Sequence, residues 1–504
     1  MFEMLGQAVG LVFTLPNLIG ATLGITVGFI FGAVPGLTGN VAVGLLVPFT
    51  FFLDPLIGIV TLLAIGKGTS FGSSIPAILF NMPGSPQATA TAIDGYELTK
   101  KGKSKKALHM ALYGSVGGDL LSDLTLLMVA APLAAVALKI GPPEYAAIIF
   151  FALLIIGTFM GSVPAKGMIS AGLGLFLGTV GIDLFTASER LTFGLTELQD
   201  GIPLIPMLLG MLVMPEIFLQ LRRYYGVSSG SFSVSSIPQD NEGARWKDLW
   251  ASLPTILRSG SIGTFIGAAP GLGATLGAFL AYNVSKRVGR DRNNIGKGSI
   301  YGVASAEAGN SAGTGANLIP LVTLGIPGHV EAAIILGAFM IHGMTPGPFL
   351  METQGQLVYA IFLSLILANV LLFFLGHFFI KWAGKIQNLD RAVLFPIILL
   401  LTTVGSYAIA RSLFHVALMF VFGLLGYLMR RLGFTPIPLI IAFLLGPLLE
   451  DGIRWSLRMS GGSVMIFFTR PITLVFVVLS ALTLVGMFYR GGKKPEILPV
   501  ENNQ

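Results

Sequence analysis

The chain has 504 residues, of which 54% are hydrophobic and only 11% charged. That composition excludes an ordinary soluble domain and reads as an integral membrane protein. The absence of cysteine excludes disulfides, thiolate metal sites and cysteine nucleophiles, and the +7 formal charge sits in short loops, as positive-inside bias rather than nucleic-acid binding.

A span needs about 20 apolar residues, and about 12 helical segments are expected, several of them short or interrupted: an all-α integral membrane protein. The N-terminus lacks a basic n-region and a small-residue cleavage site, so no removable signal peptide is expected. A first helix is predicted over residues 8–31, with Pro16-Asn17 near its start. It breaks at the polar turn 35–40 (Pro35, Gly36, Leu37, Thr38, Gly39, Asn40). A second segment, 41–53, stops at Asp54-Pro55, and a third, 56–66, runs into Lys67-Gly68-Thr69-Ser70. Lys67 beside a membrane break is costly and is expected to face the protein interior.

Residues 71–95, FGSSIPAILFNMPGSPQATATAIDG, are too apolar for a water-exposed loop and too broken for an ordinary membrane helix. The run 75–80 is predicted to end at Pro83, which has no N–H and clashes with the preceding turn. Broken backbone at membrane depth is tolerated only where protein buries it or it lines a cavity, and such breaks point to a transporter's binding site. A basic loop with Lys100, Lys101, Lys103, Lys105 and Lys106 follows. Segments are then expected over 107–137, 144–160, 165–182 and 203–221, the first carrying Asp119 and Asp123 on one helical face. Those aspartates fit either an ion relay or a helix end at a water interface.

Residues 222–250 form the longest polar loop and divide a first membrane repeat, 1–221, from a second, 251–489, with a polar tail over 490–504. The repeats rest on two ordered matches. Gly28-x-x-x-Gly32-Ala33-x-Pro35-Gly36-Leu37 matches Gly263-x-x-x-Gly267-Ala268-x-Pro270-Gly271-Leu272, offset by 235. Ile75-Pro76 with Pro83-Gly84 matches Ile319-Pro320 with Pro327-Gly328, offset by 244. Basic loops alternate between the copies: five basic residues follow the second unit of the first repeat, and five (Lys286, Arg287, Arg290, Arg292, Lys297) follow the first unit of the second. Equivalent loops on opposite sides are the expectation for inverted repeats; parallel repeats stay open.

Residues 298–317 are the most polar stretch at membrane depth, with Ser305, Glu307, Asn310, Ser311, Thr314 and Asn317. A solvated surface helix is the alternative, but the flanking Gly, Ala and Val favour burial. An intramembrane Glu marks a functional site by default. Glu307 with Ser305, Asn310 and Thr314 is the candidate ion-coupling set, for Na+ or H+. The later helices, over 356–380, 392–410, 412–429, 436–448 and 471–488, read as scaffold, and residues 455–468 as a segment along the interface.

No catalytic set emerges. The five histidines never form HExxH, and no G-x-S-x-G elbow occurs. No cofactor is expected beyond the coupling ion. Helix N-termini after the breaks suit a carboxylate. The candidate substrate contacts are Pro35, Gly36, Thr38, Asn40, Ser73, Ser74, Asn81, Pro83, Gly84 and Ser85, with Pro270, Gly271, Thr275, Asn317, Pro327 and Gly328 in the second repeat. A channel would use the same broken helices; a membrane enzyme finds less support.

The segments GAVPGLTGN (32–40), GSSIPAILFNMPGSP (72–86), ATAIDGY (90–96), KGSIYGVASAEAGNSAGTGANLIPLVTLGIPG (297–328) and IHGMTPGP (341–348) resemble the large membrane subunit of the tripartite tricarboxylate transporters, in order and over most of the chain. The resemblance implies a bacterial inner-membrane secondary transporter driven by a proton or sodium gradient. It also implies two partners, a small membrane subunit and a periplasmic solute-binding protein that delivers a carboxylate. Ser73 stands where the family more often has glycine and Ser311 where it more often has asparagine, differences that bear on substrate preference.

Overall fold

Pro16 lies in the first turn of a helix rather than inside one, so the first expected helix is two: α1 (Phe2–Val12) and α2 (Leu15–Ala33). Proline fits the first turn because its missing N–H is unpaired there anyway. The buried Asn17 joins the pieces by donating to the Val12 carbonyl (2.8 Å) and to Ser364 Oγ (2.9 Å). The computed structural model describes residues 2–34, 37–160, 163–183, 185–219, 243–383 and 391–490. The predicted residues Pro35 and Gly36, and most of the loop 222–250, lie outside them.

The chain continues through α3 (Gly39–Thr50), α4 (Pro55–Gly72), α5 (Ser74–Phe80), α6 (Ala88–Lys100) and α7 (Ser104–Ala137). After α8 (Pro142–Phe159) and α9 (Pro164–Leu177) come two short paired strands, Gly181–Ile182 and Glu189–Arg190. Next is α10 (Leu204–Leu208), which runs on through a π-helical turn at Leu209–Val213. Then follow α11 (Trp246–Gly267), α12 (Gly273–Val288), α13 (Ile300–Ala316), α14 (Leu318–Leu324), α15 (Val330–Ile341), α16 (Leu350–Thr353) and α17 (Gly355–Ile380). The chain closes with α18 (Arg391–Ala410), α19 (Leu413–Arg431), α20 (Pro436–Met459), α21 (Ile466–Thr469) and α22 (Pro471–Arg490). Among the described residues seven helices are long and apolar enough to cross a membrane, and shorter apolar helices accompany them. This is an all-α integral membrane protein. Trp455, expected in a separate interfacial segment, belongs to the last turns of α20.

Two compact units form. The larger takes residues 1–139 and 179–432, and the smaller 140–178 and 433–504. Within the smaller unit, Glu144 in the first turn of α8 pairs with Arg470 Nη1 at 2.9 Å. A side chain at Gly174 of α9 would collide with the Leu439 carbonyl of α20, so those helices meet backbone to backbone.

The larger unit is built on close helix pairs of the same kind. A methyl at Gly28 of α2 would overlap the Ile65 carbonyl of α4, and one at Gly263 of α11 would overlap the Gly309 carbonyl of α13. Small residues at these crossings let backbones approach, the usual source of helix association in lipid. The long α7 packs on α13 in the same way, with Gly118 against Ala308. Asp94 of α6 ties down the basic loop before α13: its buried carboxylate accepts from the backbone N–H groups of Gly296 (2.9 Å), Gly298 (2.8 Å) and Ser299 (2.8 Å) and from the Tyr282 hydroxyl (2.9 Å). Residues 298–317 are no surface helix, because Ser305, Glu307, Asn310, Ser311 and Asn317 are all fully buried.

Candidate functional site

Proline chemistry shapes both broken stretches. A proline ring inside a helix clashes with the carbonyl four residues back. Pro76 would meet the carbonyl of Gly72, where α4 ends, and Pro320 that of Ala316, where α13 ends. Each chain kinks there through one residue in a right-handed conformation, Ser73 (φ −68°, ψ −19°) or Asn317 (φ −61°, ψ −19°). A seven-residue half-helix follows, α5 or α14.

The first half-helix ends at Phe80, within the predicted run 75–80, but what stops it is a left-handed cap at Asn81 (φ 56°) rather than Pro83; Gly325 (φ 70°) caps the second in the same way. Left-handed backbone at a helix end favours Gly and Asn, which frees the last carbonyls to be bonded from beyond. Asn81 N–H donates to Ala77 (3.2 Å) and Met82 N–H to Pro76 (3.1 Å); Gly325 N–H donates to Leu321 (3.0 Å) and Ile326 N–H to Pro320 (3.2 Å).

The surroundings of the two stretches recur residue for residue. In the first, Gly32 lies against the Thr69 and Ser73 backbone, Gly39 against Thr69, and Gly84 against Ser73 and the Gly32 carbonyl. In the second, Gly267 lies against the Gly313 backbone, Gly313 against Ala274, and Gly328 against Asn317. There the two Pro-Gly units are also bonded directly, Gly271 N–H to the Gly328 carbonyl at 3.0 Å. The stretches meet at Ser70 of α4, whose hydroxyl lies 3.2 Å from Ser311 Oγ and accepts from Asn310 Nδ2 at 3.2 Å. Asn310 Oδ1 and Asn317 Oδ1 are buried there without a hydrogen-bond partner.

The other expected substrate contacts are spread around this centre. Thr38 and Asn40 are half-buried at the start of α3, and Pro270 and Thr275 at the turn into α12. Thr38 makes no side-chain cap at the start of α3, and its carbonyl accepts from the Val41 (3.0 Å) and Ala42 (3.1 Å) N–H groups. Ser85 Oγ is 2.9 Å from Ser73 Oγ. Asn81 and Pro83 are exposed, whereas Pro327 is buried.

Glu307 is buried as expected, but its surroundings differ from the expected set. Ser305 faces away, bonded to the Ala281 carbonyl (2.9 Å) and to Ser285 Oγ (2.7 Å). Residues two apart on a helix point to opposite sides. Asn310 reaches Ser70, and Thr314 donates to the Asn310 carbonyl at 3.2 Å. Glu307 instead accepts from three hydroxyls on three other helices: Ser74 of α5, Thr91 of α6 and Ser115 of α7, the last at 2.8 Å.

Lys67 does not pair with Glu307. It is 5% exposed and lies between Asp123 Oδ2 (2.8 Å) and Asp119 Oδ1 (3.4 Å) of α7, also donating to Asn369 Oδ1 of α17 (3.2 Å). The face shared by Asp119 and Asp123 is therefore interior, not a helix end at water. A cavity of about 30 Å³ opens beside them, lined also by Thr314, His329 and Glu331. Thr91, Ser115, Asn369, His329 and Glu331 were not among the expected site residues. Only the spacing of Ser115, Asp119 and Asp123 along one face of α7 carried a signal in sequence.

Residues 18–441 match the family described as "Tripartite tricarboxylate transporter TctA family". An uncharacterized 52.8 kDa protein in the TAR-I ttuC' 3' region of Agrobacterium vitis is 37% identical over 458 residues, 90% of each chain. Another from the same organism, in the TAR-II ttuC' 3' region, is 38% identical over 227 residues, 44% of this chain and 94% of the relative. No solved structure matches.

Proposed function

The chain belongs to the tripartite tricarboxylate transporter TctA family, the large subunit of these transporters, and from that premise we propose that it is the permease that imports a small carboxylate with a cation gradient. The bacterial inner membrane is its proposed home. A small membrane subunit and a periplasmic solute-binding protein that delivers the substrate are its proposed partners.

The observation that carries this reading is the pair of kinked, left-handed-capped half-helices with recurring surroundings, meeting at Ser70, Asn310 and Ser311. Duplicated discontinuous helices are how secondary transporters build a substrate site near the bilayer midplane. The alternation of basic loops favours inverted copies, whose equivalent ends face opposite sides of the membrane. The first turns of α3 and α12, which no N-cap side chain bonds, lie beside Thr38, Asn40 and Thr275 and suit a substrate carboxylate, because helix N-termini and the helix dipole attract anions. Glu307 is proposed as a coupling carboxylate, which three hydroxyl donors hold in place.

The test is uptake of a panel of labelled carboxylates into proteoliposomes with all three components, with sodium varied at fixed pH and pH varied at fixed sodium. Accumulation against a gradient, together with counterflow, identifies a coupled carrier. Passive equilibration alone would identify a channel and overturn the proposal.

A further inference from the structure

The charges around Lys67 do not balance. The cavity beside it is reached by groups from six helices. From α4 comes Lys67, from α7 Asp119 and Asp123, and from the start of α15 His329 and Glu331. The α13–α14 stretch contributes only uncharged residues such as Thr314, and α17 contributes Leu365, with the Asn369 amide bonded to Lys67 beside the cavity. His329 brings no positive charge in this arrangement. Its Nδ1 accepts from the Ala332 N–H at 3.3 Å, which holds the ring as the neutral form protonated at Nε2. One ammonium therefore faces three carboxyl groups. Asp119 is 1% exposed and the Glu331 side chain 16%, so leaving both ionised beside one ammonium already paired with Asp123 is costlier than taking up protons from water.

The three carboxyl groups are not equivalent. Asp123 is fixed from two sides, its Oδ2 accepting from Lys67 (2.8 Å) and from Asn369 Nδ2 (2.8 Å). It is the permanent counter-ion of Lys67. Each aspartate leaves one buried oxygen, Asp119 Oδ2 and Asp123 Oδ1, without a hydrogen-bond partner. But Asp119 sits farther from the ammonium, at 3.4 Å, and among the described residues has no second donor like the Asn369 amide on Asp123. Glu331 lies across the cavity against Gly66, where a methyl group would overlap its Oε1, and its Oε2 is 3.9 Å from His329 Nε2. The cavity, of about 30 Å³, has room for roughly one or two waters to pass a proton.

We propose that the Lys67 cluster is a proton-exchange centre, in which Asp119 Oδ2 takes up and gives back the proton while Asp123 stays ionised on Lys67 and Glu331 holds the second proton. The proposal deepens the permease reading and rests on it for the word coupling, but not for the binding of the proton. A water in the cavity delivers H+ to Asp119 and becomes the acceptor when the proton leaves, so no other reactant is needed. This centre is separate from Glu307, whose partners Ser74, Thr91 and Ser115 carry no charge.

Two measurements test it independently. In the first, infrared difference spectra of the purified full-length subunit are recorded across a pH step. The wild type should show protonated-carboxyl bands at neutral pH, with one lost in Asp119→Asn and another in Glu331→Gln. Both variants replace a protonated carboxyl group with a neutral amide of nearly the same shape, so folding should survive; Lys67→Gln combined with Asp123→Asn serves as the charge-balanced control that retains the bands. Identical bands in wild type, Asp119→Asn and Glu331→Gln would overturn the proposal. In the second, proteoliposomes carrying all components report protons moved per substrate, which should fall by about one in Asp119→Asn. An unchanged ratio in that variant would also overturn it. Wild-type proteoliposomes that accumulate no carboxylate would instead refute the permease reading, leaving the infrared result to decide the proton site.

Discussion

Asn81 and Gly325 hold the same left-handed conformation, φ 56° and 70°, at the ends of two half-helices that each begin after a single kinked residue. The match assigns Asn81 a backbone role. For most residues that conformation costs roughly 1–2 kcal/mol, whereas glycine adopts it freely and asparagine nearly so. Asn81→Gly is therefore expected to leave uptake and thermal stability near wild type, while Asn81→Ala loses about 1 kcal/mol. Parallel uptake and thermal-unfolding measurements on the two variants check this. Equal loss of uptake in both would assign the amide to substrate instead.

Gly28 and Gly263 sit where helix backbones touch, against the carbonyls of Ile65 and Gly309. Valine at either place forces the helices apart, and overpacking of this kind costs typically 1–3 kcal/mol. Both variants should insert into the membrane yet unfold at lower temperature in detergent. A melting temperature equal to wild type in both would contradict the close packing.

Glu307→Gln keeps the size of the side chain but removes its charge. It is expected to abolish gradient-driven accumulation while leaving the assembled complex intact on size exclusion. A Gln variant that accumulates substrate with unchanged dependence on sodium and on pH would reduce Glu307 to a structural clamp.

Asp94→Ala would strand the N–H groups of Gly296, Gly298 and Ser299, which the carboxylate now satisfies. Each hydrogen bond to a charged acceptor contributes about 1.5–3 kcal/mol, so the loop before α13 should open while the helices stay folded. Limited proteolysis at Arg290 and Arg292 should accelerate at least tenfold, a change that wild-type cleavage rates in the variant would rule out.

Much of this architecture could be read from the amino-acid sequence because prolines and glycines act locally. Pro76 and Pro320 set the kinks through their own rings, and the glycine pairs announce close helix crossings wherever they fall. What sequence hid was tertiary. Nothing local brings Ser74, Thr91 and Ser115, on three helices, to one carboxylate, and proximity along the chain suggested Ser305, which the helical turn points the other way. Lys67 was legible as interior, but its balance against Asp119, Asp123 and Glu331 depends on how α4, α7 and α15 pack. From sequence the stop after residue 80 is attributed to Pro83 rather than to Asn81, because proline is a stronger written signal than the asparagine that caps the helix.

The backbone contacts of α13 have a mechanical consequence. On one side Gly263 and Gly267 of α11 press on the carbonyls of Gly309 and Gly313; on the other, Gly114 and Gly118 of α7 press on Ala304 and Ala308. With main chain against main chain at both contacts, α13 has no side-chain layer over which to slip, so α7, α11 and α13 are expected to move as a single beam. Glu307 travels fixed within it. Any opening and closing of a passage must then be concentrated in the hinges, at Ser73 and Asn317 and at the glycine-lined turns beyond them. A crosslink between α7 and α13 would leave that motion untouched, while one that pins a half-helix to its own long helix would stop it.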